Sequence, residues 1–360
     1  MKKISILILG TMLLSLALTA CAAPAAEAPA AEAPAAEAPA AEAPAAEEPA
    51  AEEPAAVVDP NAPVYEYDTS NLKANENYDI AIVLKNSSNA VWLQHIAAAE
   101  QAAKDMGFTL GSYAPTAVSS VEEQTRILED LIAKQVDCIV LAPVSTDGIA
   151  SAIQKLNEAG IPVAYDNTRG SGGDYIAYTG LDNIKLGNEL GDYIAKLMNE
   201  EGKILVLEGV PGQSTSDDRT KGVMEALAKY PNITAESQPA HWKYDEALDI
   251  TTTYLTKWPD LKAIVNVGNT MAQGAAEAVT NAGFDHSQII IGSFDVTPAD
   301  VESIQTGVVD FTIEQGVYWQ AYWAAAACVE KLNGGTPPLE IRTPFTFVDL
   351  SNLDEFLPKE

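Results

Sequence analysis

Cysteine, histidine and positive charge are all scarce in this chain. Three cysteines in 360 residues are too few for a disulfide scaffold. The three histidines, His95, His241 and His286, are scattered and form no metal-ligand spacing; no metal and no cofactor is expected. Lys and Arg number 21 against 51 Asp and Glu, a formal net charge of −30. A chain this acidic has no electrostatic attraction for nucleic acid or anionic headgroups, so no nucleic-acid partner is expected. After the N-terminus, no stretch reaches the ~20 apolar residues that a bilayer-spanning helix needs. Catalytic signatures are missing too. The loop over 209–216 follows a strand-like run but lacks both G-x-G-x-x-G and a Walker lysine, and neither Ser214 nor Ser216 stands in a G-x-S-x-G context. An enzyme is therefore not expected.

What is present begins with an address. Met1-Lys2-Lys3 is followed by an apolar run over 4–18, the length of a signal-peptide core. It ends in Leu18-Thr19-Ala20-Cys21, which resembles the bacterial lipobox. That resemblance implies cleavage before Cys21 and acylation of its thiol, so that a lipid anchor holds the mature end in a membrane and leaves the rest in water. From Pro24 to Pro54 proline recurs every fifth residue, and Glu27 to Glu53 contains eight Glu and no basic residue. Proline at that density forbids a continuous helix, and its own charge extends the segment. Residues 1–20 are read as signal peptide and 21–70 as the lipidated Cys with a disordered tether.

Beyond it, short apolar strands alternate with amphipathic helices. Strand runs begin near 79, 108 and 137, and again near 203, 233 and 262. Helices are expected over 91–106, 121–135 and 149–159, then over 184–198, 218–230, 244–258, 271–282 and 315–332. A spacing of about 29 residues is one βα unit. Alternation of this kind predicts parallel sheets covered on both faces. The fold class is therefore α/β, with two doubly wound parallel-sheet lobes. In such sheets, ligands bind beyond the carboxyl ends of the strands.

The residues that follow those strand ends are Lys85 to Asn89 with Trp92, Asp166-Asn167, Arg219 beyond the loop at 209–216, His241-Trp242, Asn269, Asp295 and Gln315. Carboxylates accept from paired hydroxyls, a guanidinium donates in a fixed fork, and amides do both. Aromatic rings cover the apolar faces of a sugar ring. The set suits a small polyhydroxylated ligand.

At these residues the chain resembles the periplasmic sugar-binding proteins of the ribose-binding type, over about 78–344. The resemblance rests on Ile80-Ala-Ile-Val-Leu with Asn89, Ala142-Pro-Val-Ser-Thr-Asp147, Gly160-Ile-Pro-Val163 before Asp166, Leu190 to Ala195, the stretch 209–222 with Arg219, Ile291-Gly-Ser-Phe-Asp295 and Phe311-Thr-Ile-Glu-Gln315. It implies a type I periplasmic binding protein: lobes of 76–182 plus 315–340 and of 183–314 plus 341–360, joined by a hinge with crossovers near 181–182, 314–315 and 341–343. It also implies a monomer that closes on a monosaccharide or related polyol and docks on an ABC permease; a sensor lipoprotein presenting a sugar to a receptor is the alternative. By position it assigns Asn89, Trp92, Asp166, Arg219, Trp242, Asn269, Asp295 and Gln315 to the ligand. Lys85, Ala90, Val91 and Asn167 depart from the family pattern, so a ribose preference does not carry over. Lys85 suits either a sugar acid or, the favoured reading, an ion pair with a local carboxylate such as Asp166. Trp258, Trp319 and Trp323 are read as packing residues, and Cys138 and Cys328 as buried free thiols.

Overall fold

The computed structural model describes residues 62–357. The signal peptide, Cys21 and most of the tether lie outside the described residues, as do 358–360. Two six-stranded sheets organise the chain. The first contains β1 (Asp79–Val83), β2 (Thr109–Tyr113), β3 (Cys138–Leu141), β4 (Val163–Asp166), β5 (Ala177–Gly180) and β11 (Glu340–Arg342), in the order β11-β5-β4-β3-β1-β2. All of its pairs are parallel. The second contains β6 (Glu201–Glu208), β7 (Asn232–Pro239), β8 (Leu261–Asn266), β9 (Ile290–Gly292), β10 (Phe311–Glu314) and β12 (Thr346–Asp349), in the order β12-β10-β9-β8-β6-β7. Only β12 runs antiparallel, against β10.

The central strands are buried on both faces, so they read as continuous apolar runs. In the first lobe, α1 (Ala90–Met106) and α9 (Val317–Leu332) close one face and α2 (Val121–Lys134) with α3 (Ala150–Glu158) the other. In the second, α6 (Tyr244–Lys257) and α7 (Asn269–Asn281) cover one face, while α4 (Asn183–Leu197) and α5 (Ser214–Leu227) cover the other. Among the described residues no helix is long and apolar enough to cross a membrane.

The chain passes between the sheets three times: after β5, after β10 and after β11. The second passage turns at Gly316, whose φ of 68° lies where a side chain is strained, and it delivers α9 back to the first lobe. The third falls after Arg342, because β11 still pairs with β5 while β12 joins the other sheet. The extended stretch after residue 340 therefore divides between the lobes, rather than belonging wholly to the second.

Four further expectations are corrected. Cys138 and Cys328 are not free thiols: they form a disulfide across 190 residues of sequence, with Cα atoms 5.9 Å apart. The strand and helix that carry them meet only because α9 returns. The folded body also starts before residue 70, since Val64 bridges to Ile341 and Tyr67 packs against the first core. Helix α5 begins at Ser214, not near 218, so Arg219 stands in its second turn. A helix that periodicity missed, α8 (Pro298–Gln305), starts on a capping box in which Asp300 Oδ2 accepts from both Thr297 N–H and Thr297 Oγ1–H. Trp258 and Trp323 are buried packing residues, whereas Trp319 is 46% exposed.

Candidate functional site

Both sheets point their carboxyl ends at one cleft, and the strand-to-helix turns line it. A cavity of about 280 Å³ lies there, slightly below the ~300–1,000 Å³ of pockets for drug-sized ligands. Its walls come from both lobes: Lys85, Asn89, Trp92 and His95 from the first; Arg219, Trp242, Asn269 and Asp295 from the second; Gln315 from a crossover.

On the first lobe, Asn89 caps α1 by accepting from Val91 N–H at 3.0 Å. Its amide donates across the cleft to Asn269 Oδ1 at 3.3 Å and Thr270 Oγ1 at 3.1 Å. Trp92, in the first turn of α1, is 7% exposed and stands 4.8 Å from the His95 ring. Lys85 emerges just beyond β1 and reaches over Trp92, 5.5 Å from the ring centre. It does not pair with Asp166 as favoured. His95 Nδ1 occupies that carboxylate, 2.8 Å from Asp166 Oδ2, and Lys85 Nζ is left 3.5 Å from both Asn167 Oδ1 and Gln213 Oε1. Burial, with Arg219 nearby, lowers the Lys85 ammonium to about 7.

On the second lobe, Arg219 is almost fully buried. It donates from Nε to Asn183 Oδ1 at 2.8 Å, from Nη1 to Val267 O at 3.0 Å and from Nη2 to Gln315 Oε1 at 2.6 Å. The guanidinium lies 4.2 Å from the Phe294 ring centre. Burial lowers it to about 10, still charged at neutral pH. Gln315 donates in turn to Asp295 Oδ1, and burial pushes the Asp295 carboxyl up. Asn269 donates to Asp300 Oδ2 at 3.4 Å. Trp242 sits in a left-handed backbone conformation, with φ of 60°. Its ring lies so close to Gly209 that a Cβ there would fall 1.9 Å from it, so only glycine is compatible with this indole position. His241 turns away to Glu246.

The turn 209–216 is a bridge between lobes, not a phosphate loop. Gln213, fully buried, donates to Val144 O at 2.6 Å and to Ser119 Oγ at 2.9 Å on the first lobe, and accepts from Trp242 Nε1 at 2.9 Å on its own. Gly212 O accepts from Thr146 N–H, and Thr215 Oγ1 lies 2.5 Å from Thr168 Oγ1.

Every residue assigned from sequence thus converges on the cleft or directly behind it. Asp166 is the one set back: it does not line the cavity, and the His95 imidazole stands in front of it. His95 and Gln213 were missed. His95 sits in the helical pattern as one polar residue among apolar ones, and Gln213 belongs to a loop that shows no role until the lobes are assembled. No cluster that could hold a metal ion is found among the described residues.

A family model described as a periplasmic binding protein domain matches residues 80–336. The D-allose-binding periplasmic protein of Escherichia coli K12 is 30% identical over 246 residues, which is 66% of this chain and 79% of that one. Among solved structures, an ABC transporter periplasmic solute-binding protein from Actinobacillus succinogenes with bound D-allose superposes with a TM-score of 0.73 at 28% identity, over 78% of this chain and 100% of that chain. A solute-binding protein from Agrobacterium vitis bound with α-D-tagatopyranose gives 0.74 at 26% identity, over 79% and 100%.

Proposed function

This chain belongs to the periplasmic binding proteins, a family of non-enzymatic extracytoplasmic binders, and on that footing we propose that it is a lipid-anchored receptor that closes on a monosaccharide or related polyol and delivers it to an ABC permease. One observation carries the reading. The cavity between the lobes is walled by hydrogen-bonding groups from both of them, so a ligand there touches both at once. A ligand that contacts both lobes favours the closed arrangement by the contacts that the open one lacks.

The ligand class rests on the side chains. Asn89, Asn269 and Asp295 offer the mixed donors and acceptors that hydroxyls need. Trp92 and Trp242 offer faces for the C–H side of a sugar ring. The named relatives bind D-allose or D-tagatose, and Asn89, Arg219, Asn269, Asp295 and Gln315, assigned to the ligand by the sequence resemblance and gathered at the cavity, support a sugar here. Cys21 and the acidic tether support anchorage at the outer face of the cytoplasmic membrane or in the periplasm, with the folded body acting as a monomer.

A thermal-shift screen of the mature chain without its acylated Cys21, from residue 22, tests this. A ligand that binds only the folded state raises the melting temperature. The expected result is a shift with at least one aldose, ketose, polyol or sugar acid that is lost in Arg219→Ala. A shift only with nucleosides or amino acids overturns the ligand class.

A further inference from the structure

The cleft floor is unevenly supplied with hydrogen-bonding partners. Several acceptors that a neutral polyol would use are engaged within the protein. Asp166 Oδ2 is held by His95, Asp295 Oδ1 by Gln315, Gln315 Oε1 by Arg219, and Gln213 Oε1 by the Trp242 indole. Asp166 Oδ1 has no partner, but it lies behind the imidazole.

The nitrogens are less well served. Among the described residues the hydrogen-bond partners of Lys85 Nζ, the side-chain oxygens of Asn167 and Gln213, stand at 3.5 Å, the far limit of a hydrogen bond. Among the described residues neither Lys85 nor Arg219 has a carboxylate oxygen within the 4.0 Å of an ion pair. His95 Nε2 is buried and has no partner at all. All three side chains line the same cavity. Buried cations are costly unless paired with negative charge, and the carboxylates facing Lys85, those of Asp166 and Asp295, stand beyond ion-pair distance and are held by His95 and Gln315.

We propose that the ligand is a sugar acid, whose carboxylate is received by Lys85 with Arg219 beside it, while Asn89, Asn269, Asp295 and His95 Nε2 read its hydroxyls. This rests on the sugar-binding reading above and narrows its ligand class. With its Nδ1–H donating to Asp166 Oδ2, His95 is left with Nε2 as an acceptor for a ligand hydroxyl. A ligand carboxylate beside Lys85 stabilises its ammonium. The groups facing Lys85 are Arg219, Asp166 and Asp295; the first opposes its charge and the carboxylates favour it. The unliganded ammonium titrates near 7, so binding of the anion takes up protons from solution and weakens as pH rises above that value.

Calorimetric titration of the mature chain with matched pairs tests this: D-glucuronate against D-glucose, D-galacturonate against D-galactose, and D-allonate against D-allose. Each is run from about pH 6 to 8.5 in buffers of different ionisation enthalpy. At least one acid is expected to bind more than about tenfold tighter than its parent at the lower pH, with proton uptake and a loss approaching tenfold per unit above neutrality. Lys85→Met should remove that advantage, bringing the acid's affinity to within about threefold of its parent's, and should abolish the proton uptake. A neutral sugar that binds as tightly as its acid, or acid binding with no proton uptake and no response to Lys85→Met, overturns the inference and leaves the sugar-binding reading standing. If no sugar or acid binds at all, both fail together.

Discussion

The Trp242 indole N–H donates to Gln213 Oε1 at 2.9 Å, while the amide of the same Gln213 donates to Val144 O on the opposite lobe at 2.6 Å. One carboxamide therefore orients an aromatic wall of the cleft and ties the lobes together. The Val144 bond joins the two lobes, so its loss is expected to act on closure more than on folding. Gln213→Met should weaken the best ligand by about 10–100-fold, from one or two buried hydrogen bonds at ~1.5 kcal/mol each, with little change in unliganded melting temperature. Parallel calorimetry and thermal denaturation measure the two effects. A large loss of unliganded stability with unchanged affinity would contradict this role.

Arg219 supports the site through bonds to three oxygens in three segments, those of Asn183, Val267 and Gln315. Lysine cannot reproduce that fork. Arg219→Lys is expected to leave buried acceptors unpartnered, lowering stability by about 2–4 kcal/mol and removing detectable ligand binding. Urea denaturation, together with titration of the folded fraction, reads both.

The disulfide between Cys138 and Cys328 fixes α9 to the first sheet after the chain has visited the second lobe. Under denaturing, non-reducing conditions, neither cysteine should react with an alkylating reagent; after reduction both should. Cys138→Ala with Cys328→Ala should lower stability by about 2–4 kcal/mol, the usual range for a native cross-link over a long loop. Intact mass and denaturation curves check the two statements.

Lys85 links stability to pH with a definite sign. Its folded value near 7 lies below the 10.5 of an ordinary lysine. Between those values the unfolded chain holds the proton and the folded one does not, so this group makes stability rise with pH across that window. The contribution has a ceiling of about 1.4 kcal/mol per pH unit. Lys85→Met removes the rise. The comparison is the slope of unfolding free energy against pH, from about 7 to 9, in the two proteins; equal slopes would contradict it.

Much of the fold was legible because its signals are local. Runs such as Ile80–Leu84, and the glycines that stop α1, α3 and α7 at 107, 160 and 283, mark strands and helix ends wherever they stand. The strand ends then gave the cleft, since Arg219, Asp295 and Asn269 need only the rule that ligands sit beyond them. What the chain concealed depends on assembly. The start of α5 is polar, Ser214-Thr215-Ser216, and gives no periodic signal. Helix α8 buries little beyond Asp300 and Ile304, so its capping residues, Thr297 to Asp300, were the only clue. The disulfide and the His95–Asp166 contact join residues 190 and 71 positions apart. Neither follows from spacing. Because His95 took the carboxylate that Lys85 was expected to hold, the balance of charge in the cleft changed with it.

Small-angle X-ray scattering of the mature chain, with and without a saturating ligand from the screen, tests most directly whether ligand is captured between closing lobes. The account predicts a smaller radius of gyration with ligand and a reduced contraction in Gln213→Met at the same ligand occupancy. Scattering that does not change when calorimetry shows full occupancy would contradict capture by hinge closure.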